Sequence, residues 1–165
     1  MAYRSLEDLL KTLKSDIQTY LPDELNIEEA EHADDPITIL APSENSYFIV
    51  NNIDTIPEFH LLPAIVLMGW NEVVVTPGEQ KWDIWQADIA VRIYMSGFAD
   101  QEVLNKALYR LSNSTFRIIR KNFQDEEDVD DVEECRIDYS AVPPVEPLFQ
   151  ASEITFKVKY VRGYE

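Results

Sequence analysis

A chain of 165 residues, 45% hydrophobic and 11% aromatic, is long enough for one domain to bury about 70% of its unfolded surface without a disulfide or metal staple. Its 31 acids against 14 bases give a net charge of −17, a field that repels phosphate backbones and disfavours tight reading of DNA or RNA. The single cysteine, Cys135, excludes an internal disulfide, the four glycines leave little for phosphate-cradling loops, and no apolar run is long enough for a signal peptide or a membrane span.

The first element reads as a helix. Ser5 is its N-cap with Asp8 in the capping-box position, and Leu6, Leu9, Leu10, Leu13, Ile17 and Tyr20 recur at helical spacing. This stripe fits packing on the domain's own sheet, and it also fits presentation of Leu6 and Leu10 to a neighbouring subunit. Pro22 is expected to end the helix. Seven acids and no base follow between Asp23 and Asp35, a pattern that reads as a solvated acidic loop.

Strand signals come next. Ile37–Ala41 and Ser46–Asn51 flank Pro42-Ser-Glu-Asn45 and predict a hairpin. Pro63–Trp70 is a short apolar run suited to a buried central strand. Glu72–Thr76 continues it up to Pro77-Gly78, and its closeness to Trp70 predicts a bend or a bulge. In Trp82–Met95 a strict period of two puts Trp85, Ala87, Ile89, Val91, Ile93 and Met95 on one face and Gln86, Asp88 and Arg92 on the other. With Pro77-Gly78 at the tip, Val73–Trp85 predicts a projecting β-hairpin. Trp70, Trp82 and Trp85 lie around that bend, and tryptophan serves both sheet cores and protein interfaces.

A second helix is predicted from an Asp100 N-cap to about Asn122, with Val103, Leu104, Ala107, Leu108, Leu111, Thr115, Ile118 and Ile119 as its stripe. Eight acids and no base then fill Asp125–Glu134, with Val129 and Val132 its only apolar residues. That run is expected to be an exposed, mobile loop. Its electrostatic surface would be carried by Asp125, Glu126, Glu127, Asp128, Asp130 and Asp131. A strand over Glu134–Val142, a stiff connection through Pro143, Pro144 and Pro147, and a last strand over Ser152–Arg162 complete the chain. Consecutive strands without intervening helices imply a single α+β domain over residues 1–165, a mainly antiparallel sheet packed by two amphipathic helices.

No catalytic constellation is legible. His32 and His60 have no nucleophile elbow to serve, and Cys135 has no histidine at a defined spacing. Neither G-x-G-x-x-G nor a P-loop occurs, and Asp125–Glu134 lacks the glycine and ligand spacing of an EF-hand. Weak association of that cluster with divalent ions is all its composition allows. The expectation is therefore a non-enzymatic protein with no catalytic, cofactor-binding or metal residues, acting on other protein subunits.

The whole order of elements resembles the tail terminator (tail-completion) proteins of tailed bacteriophages. The matching features are the leading helix carrying Ser5-Leu-Glu-Asp8-Leu-Leu10, the long strand Ile84–Met95 ending at Ser96-Gly97, the helix Asp100–Asn122 and the closing strand Ile154–Arg162. The two acidic segments depart from a minimal member. This resemblance implies a homo-oligomeric, hexameric ring in the virion neck that caps the tail tube, with the tail tube protein and a head-side connector or stopper as partners. DNA would pass without specific binding, repelled by an acidic lumen. A head–tail neck protein, and an acidic adaptor or nucleic-acid mimic that occupies a basic protein surface, are the competing readings.

Overall fold

A computed structural model of the protein describes residues 2–51, 57–58, 61–78, 81–98, 100–139 and 149–164. Two helices, α1 (Leu6–Glu31) and α2 (Gln101–Ile118), pack on one face of a five-stranded sheet. Its strands are β1 (Tyr47–Ile49), β2 (Ala64–Pro77), β3 (Trp82–Met95), β4 (Val129–Asp138) and β5 (Gln150–Gly163), in the spatial order β1-β2-β3-β5-β4. Only the short β1–β2 pairing is parallel; the others are antiparallel. This is the α+β layer architecture that the strand order in the sequence predicts.

One core joins the layers. Leu9, Leu13, Ile17 and Leu21 of α1 and Leu104, Ala107, Leu111 and Ile118 of α2 are fully buried against Ile65, Leu67, Ile89, Val91, Ile93, Ile154 and Val158. Each of the leucine, isoleucine and valine side chains contributes about 1.5–3 kcal/mol by leaving water. Both N-caps form as their residues predict: Ser5 Oγ accepts from the Asp8 amide at 3.2 Å, and Asp100 Oδ1 accepts from Glu102 and Val103. At its C-terminal end α2 widens into a π turn, Ile119–Phe123, which still buries Ile119 and Phe123.

Four expectations from the sequence are corrected. The first helix does not end at Pro22 but runs on to Glu31, so most of the first acidic segment is helical. Proline costs the helix one amide hydrogen bond and a clash with the carbonyl four residues back, but the turns beyond it are held from outside by α2. Arg117 Nε donates to Glu24 at 2.7 Å, its Nη1 donates to Glu28 at 2.6 Å, and Asn113 donates to Glu28 at 2.7 Å. Leu21, Leu25 and Glu28 are buried at this seam, where the acids are partners of α2 and not a solvated loop.

Ile37–Ala41 forms no strand and no hairpin with the segment after it. Ile37, Ile39 and Ala41 do pack on the core while Leu40 points out, but no ladder partner lies beside them among the described residues. Side-chain alternation belongs to any extended chain, and a strand also requires a neighbour. The residues Glu44–Ser46 form a single 3-10 turn, and only Tyr47–Ile49 joins the sheet.

The second acidic run is also not a loop beyond Asp128. It is the edge strand β4, antiparallel to β5, with Val129 and Val132 buried in the core. Repulsion among its acids is offset by the lysines of β5, since Glu133 accepts from Lys159 at 2.8 Å and Glu134 lies 3.1 Å from Lys157. Those lysines hold the Glu133 carboxyl below its ordinary range. The outer edge is closed at one point by Arg120, whose Nη1 donates to the Val132 carbonyl at 2.7 Å. Finally, the predicted strand Glu134–Val142 is thereby moved towards the N-terminus, and its last residues, with Pro143, Pro144 and Pro147, lie outside the described residues.

Candidate subunit interface

The β2–β3 hairpin forms where the sequence places it, with the predicted bulge. Trp70 pairs with Asp88 but Val73 pairs with Gln86, so one extra residue sits in β2 there, and a second sits between Val74 and Thr76. Asn71 takes the left-handed conformation there (φ 56°), which asparagine tolerates, and its amide donates to Asp88 at 3.0 Å. An inserted residue exchanges the faces of the residues after it, here until the second insertion restores them. Glu72 is thereby aimed at β5, where it accepts from the Tyr160 hydroxyl at 2.5 Å and from Arg162 Nη1 at 2.9 Å. Burial, reinforced by Glu72, pushes the Tyr160 hydroxyl far above its usual range.

This neutralised foot leaves the end of the hairpin apolar. Val73, Val74 and Val75 are 51%, 44% and 45% exposed, and Trp82 is 44% exposed. Beyond Leu67 the outer edge of β2 has no strand neighbour among the described residues. The turn itself is pinned: Asp83 accepts from the Gly78 amide at 2.8 Å and from the Tyr164 hydroxyl, and these donors lower its carboxyl below the usual range. Trp85 is tied into the same knot. Its Nε1 donates to Tyr164 at 2.9 Å, and the Arg162 guanidinium lies 4.5 Å from its ring centre.

The three tryptophans are thus not one patch. Trp70 lies on the sheet face away from the helices, in a groove of about 330 Å³ lined by Asp88, Glu134, Arg136, Thr155 and Lys157. Trp85 faces the helix side, half-buried, and only Trp82 is strongly exposed. Leu10 is buried in the domain's own core, and Leu6 is half-buried over Gly69. The valines Val73–Val75, with no periodic signature of their own, are the apolar surface that the spacing of the sequence did not single out.

The acidic surface is a rim of turn and edge strand. Asp125, Glu127 and Asp130 are exposed, while Glu126, Asp128 and Asp131 are half-buried. Asp131 Oδ1 accepts from the Val132 amide at 2.9 Å, and the Asp128 carbonyl accepts from Val161 at 2.9 Å.

Among the described residues no three His, Cys, Asp or Glu side chains come together as a metal site. His32 Nδ1 lies 2.9 Å from the Glu28 carbonyl at the end of α1, and His60 lies outside the described residues. Burial pushes the Cys135 thiol up to about 11, outweighing the nearby Arg120 charge, which is the reverse of nucleophile activation. No helix among the described residues is long and apolar enough to cross a membrane. Comparison with protein-family models and with curated proteins gives no match.

Proposed function

We propose that this protein is a structural subunit of the phage tail terminator kind, a ring-forming component that caps a tail tube and joins it to a head-side connector. The observation that carries this reading is the apolar hairpin end, Val73–Val75 with Trp82, on a chain of net charge −17. Copies with that charge repel one another over most of their surface, so they can approach only where charge is absent or neutralised. The valines and Trp82 carry no charge and Glu72 beside them is matched by Arg162, while Asp83 keeps its charge, turned onto the Tyr164 hydroxyl and the Gly78 amide. A heterologous contact through it, repeated around an axis, closes a ring.

The acidic rim supports the same reading. A ring on the path of DNA must let the duplex slide, and exposed carboxylates such as Asp125 and Asp130 provide repulsion where lysines would provide a salt-dependent grip. The α+β class that the resemblance implies is consistent with this reading.

Negative-stain imaging of the protein mixed with isolated tail tubes tests the proposal. Closed rings seated on tube ends, lost in a folded Trp82→Ala variant, are the expected result. Bare tube ends overturn it, and tight capture by a basic protein surface instead would establish the acidic adaptor.

A further inference from the structure

A ring built through the hairpin end needs a second surface, because a heterologous contact joins two different patches. That recipient has to be apolar, without net charge, and out of reach of the hairpin on its own copy. A groove where α1 begins and β1 stops meets these conditions. Leu6, Leu10, Ile49, Val50 and Gly69 line it, around a volume of about 440 Å³. Leu10 is buried, while Leu6, Ile49 and Val50 are half-buried. The two charged residues of the lining hold each other, with Lys11 Nζ 2.6 Å from Glu7, so the groove carries no net charge.

Backbone groups are open there as well. The Val50 amide donates to the Leu67 carbonyl at 2.9 Å, which turns Leu67 to the outer edge of β2. Strand alternation turns the amide and carbonyl of Gly69 to the same edge, where no strand lies beside them among the described residues. On one copy the groove and the hairpin tip are well separated. Gly69 pairs with Ile89 and Pro77 with Asp83, six residues along β3, which is roughly 20 Å. The two also open on opposite sides of the sheet. The groove lies beside α1, whereas Trp82, three residues from the helix-facing Trp85, faces away from the helices.

We propose that this groove receives the hairpin end of a second copy, so that Val73–Val75 and Trp82 of one chain seat against Leu6, Ile49 and Val50 of the next. The inference rests on the ring-forming reading above and supplies the other half of its contact. Charge selects the occupant. Two chains of −17 each meet only where carboxylates are absent or paired, and the hairpin valines and the groove with its Glu7–Lys11 pair are two such surfaces. The groove around Trp70 fits an apolar hairpin less well, because Asp88, Glu134, Arg136 and Lys157 line it and would lose water there. A strand laid beside Gly69 gains main-chain hydrogen bonds in addition to apolar burial. Since the two surfaces differ and face opposite ways, the contact passes from copy to copy and does not close as a pair.

Site-directed cross-linking of the full chain tests this, in a Cys135→Ser background that leaves no native thiol. One preparation carries Val75→Cys on the hairpin, a second Asn51→Cys at the groove, and a third Arg136→Cys in the groove around Trp70, all at exposed positions. Mixed in equal amounts and treated with a short bis-maleimide, the first two should be joined hairpin to groove, as identified by peptide mass mapping. Adding Lys11→Glu, which leaves two exposed acids facing each other at the groove, should cut that yield roughly ten-fold at low salt and less as salt rises. Links from hairpin to hairpin, or from the hairpin to the Arg136→Cys position, overturn the proposal. An assembly seen by native mass spectrometry without the hairpin-to-groove link also overturns it, and leaves the ring-forming reading standing. Single chains at every concentration overturn both. If the Cys135→Ser background fails to fold, Lys11→Glu in the native sequence decides, and an assembly unchanged from wild type overturns the groove.

Discussion

Removing Arg117 should unravel the end of the first helix, and the structure allows the effect to be sized. The Glu28 side chain is 2% exposed and the Glu24 side chain 10%, and Arg117 bonds both at 2.6 and 2.7 Å. In Arg117→Met each acid loses its main cation. Glu28 retains Asn113 at 2.7 Å and His32 at 3.4 Å, and Glu24 retains only Lys121 at 3.6 Å. Stranding a buried charge typically costs 3–5 kcal/mol, and the remaining partners place this case near the lower end, at about 3 kcal/mol. Part of that loss is local, because the helix after Pro22 has no intrinsic support for its acids without α2. Urea unfolding gives the total, and amide exchange over Asp23–Glu31 gives the local part. Replacing all three charges, as Arg117→Met with Glu24→Gln and Glu28→Gln, should recover more than half of the loss, since no unpaired charge is then buried. A loss below about 1 kcal/mol in the single variant, or no recovery in the triple one, would refute the reasoning.

Three further outcomes follow from the same contacts. Lys157→Glu with Lys159→Glu should detach β4, seen as loss of amide protection over Val129–Asp138 at low salt while α1 and α2 stay protected, because Glu133 and Glu134 lose their cross-strand partners. Asp125→Asn with Asp130→Asn should leave the melting temperature unchanged or raise it and increase retention on DNA at low salt, a difference that fades as salt screens the charges. Asp16→Asn should leave stability unchanged near pH 4 and raise it relative to the wild type above neutral pH, because burial pushes the Asp16 carboxyl up to about 7, as read from denaturant midpoints across pH.

Much of the fold is legible in the chain because its strongest periodicities are also its core. Leu9, Leu13 and Ile17, Leu104 through Ile118, and the alternating Ala87–Met95 and Ile154–Tyr160 are buried on the faces their spacing assigns. The acidic segments were harder to read for a single physical reason. Charge density in a sequence reports repulsion between neighbours but not the cations that topology brings to them. Arg117 lies 89 residues from Glu28 and Lys159 lies 26 from Glu133, so neither offset is visible locally. Pro22 misleads similarly, since the cost of a proline inside a helix, about 3 kcal/mol, is offset by the burial of Leu21 and Leu25 together with the bonds from Arg117. Of the candidate interface residues, Trp82 was readable as an aromatic near a turn. The exposure of Val73–Val75 depends on where β1 stops, and three consecutive valines look the same in a buried strand.

The central claim is self-assembly through the hairpin end, and native mass spectrometry of the wild type beside a Val74→Ser, Trp82→Ala double variant tests it most directly. Both substitutions lie on exposed positions, so the variant should keep the wild-type circular dichroism and melting behaviour. The account predicts a closed assembly near six times the chain mass for the wild type and single chains for the variant. Single chains for both at the highest soluble concentration, or the same assembly for both, would contradict it.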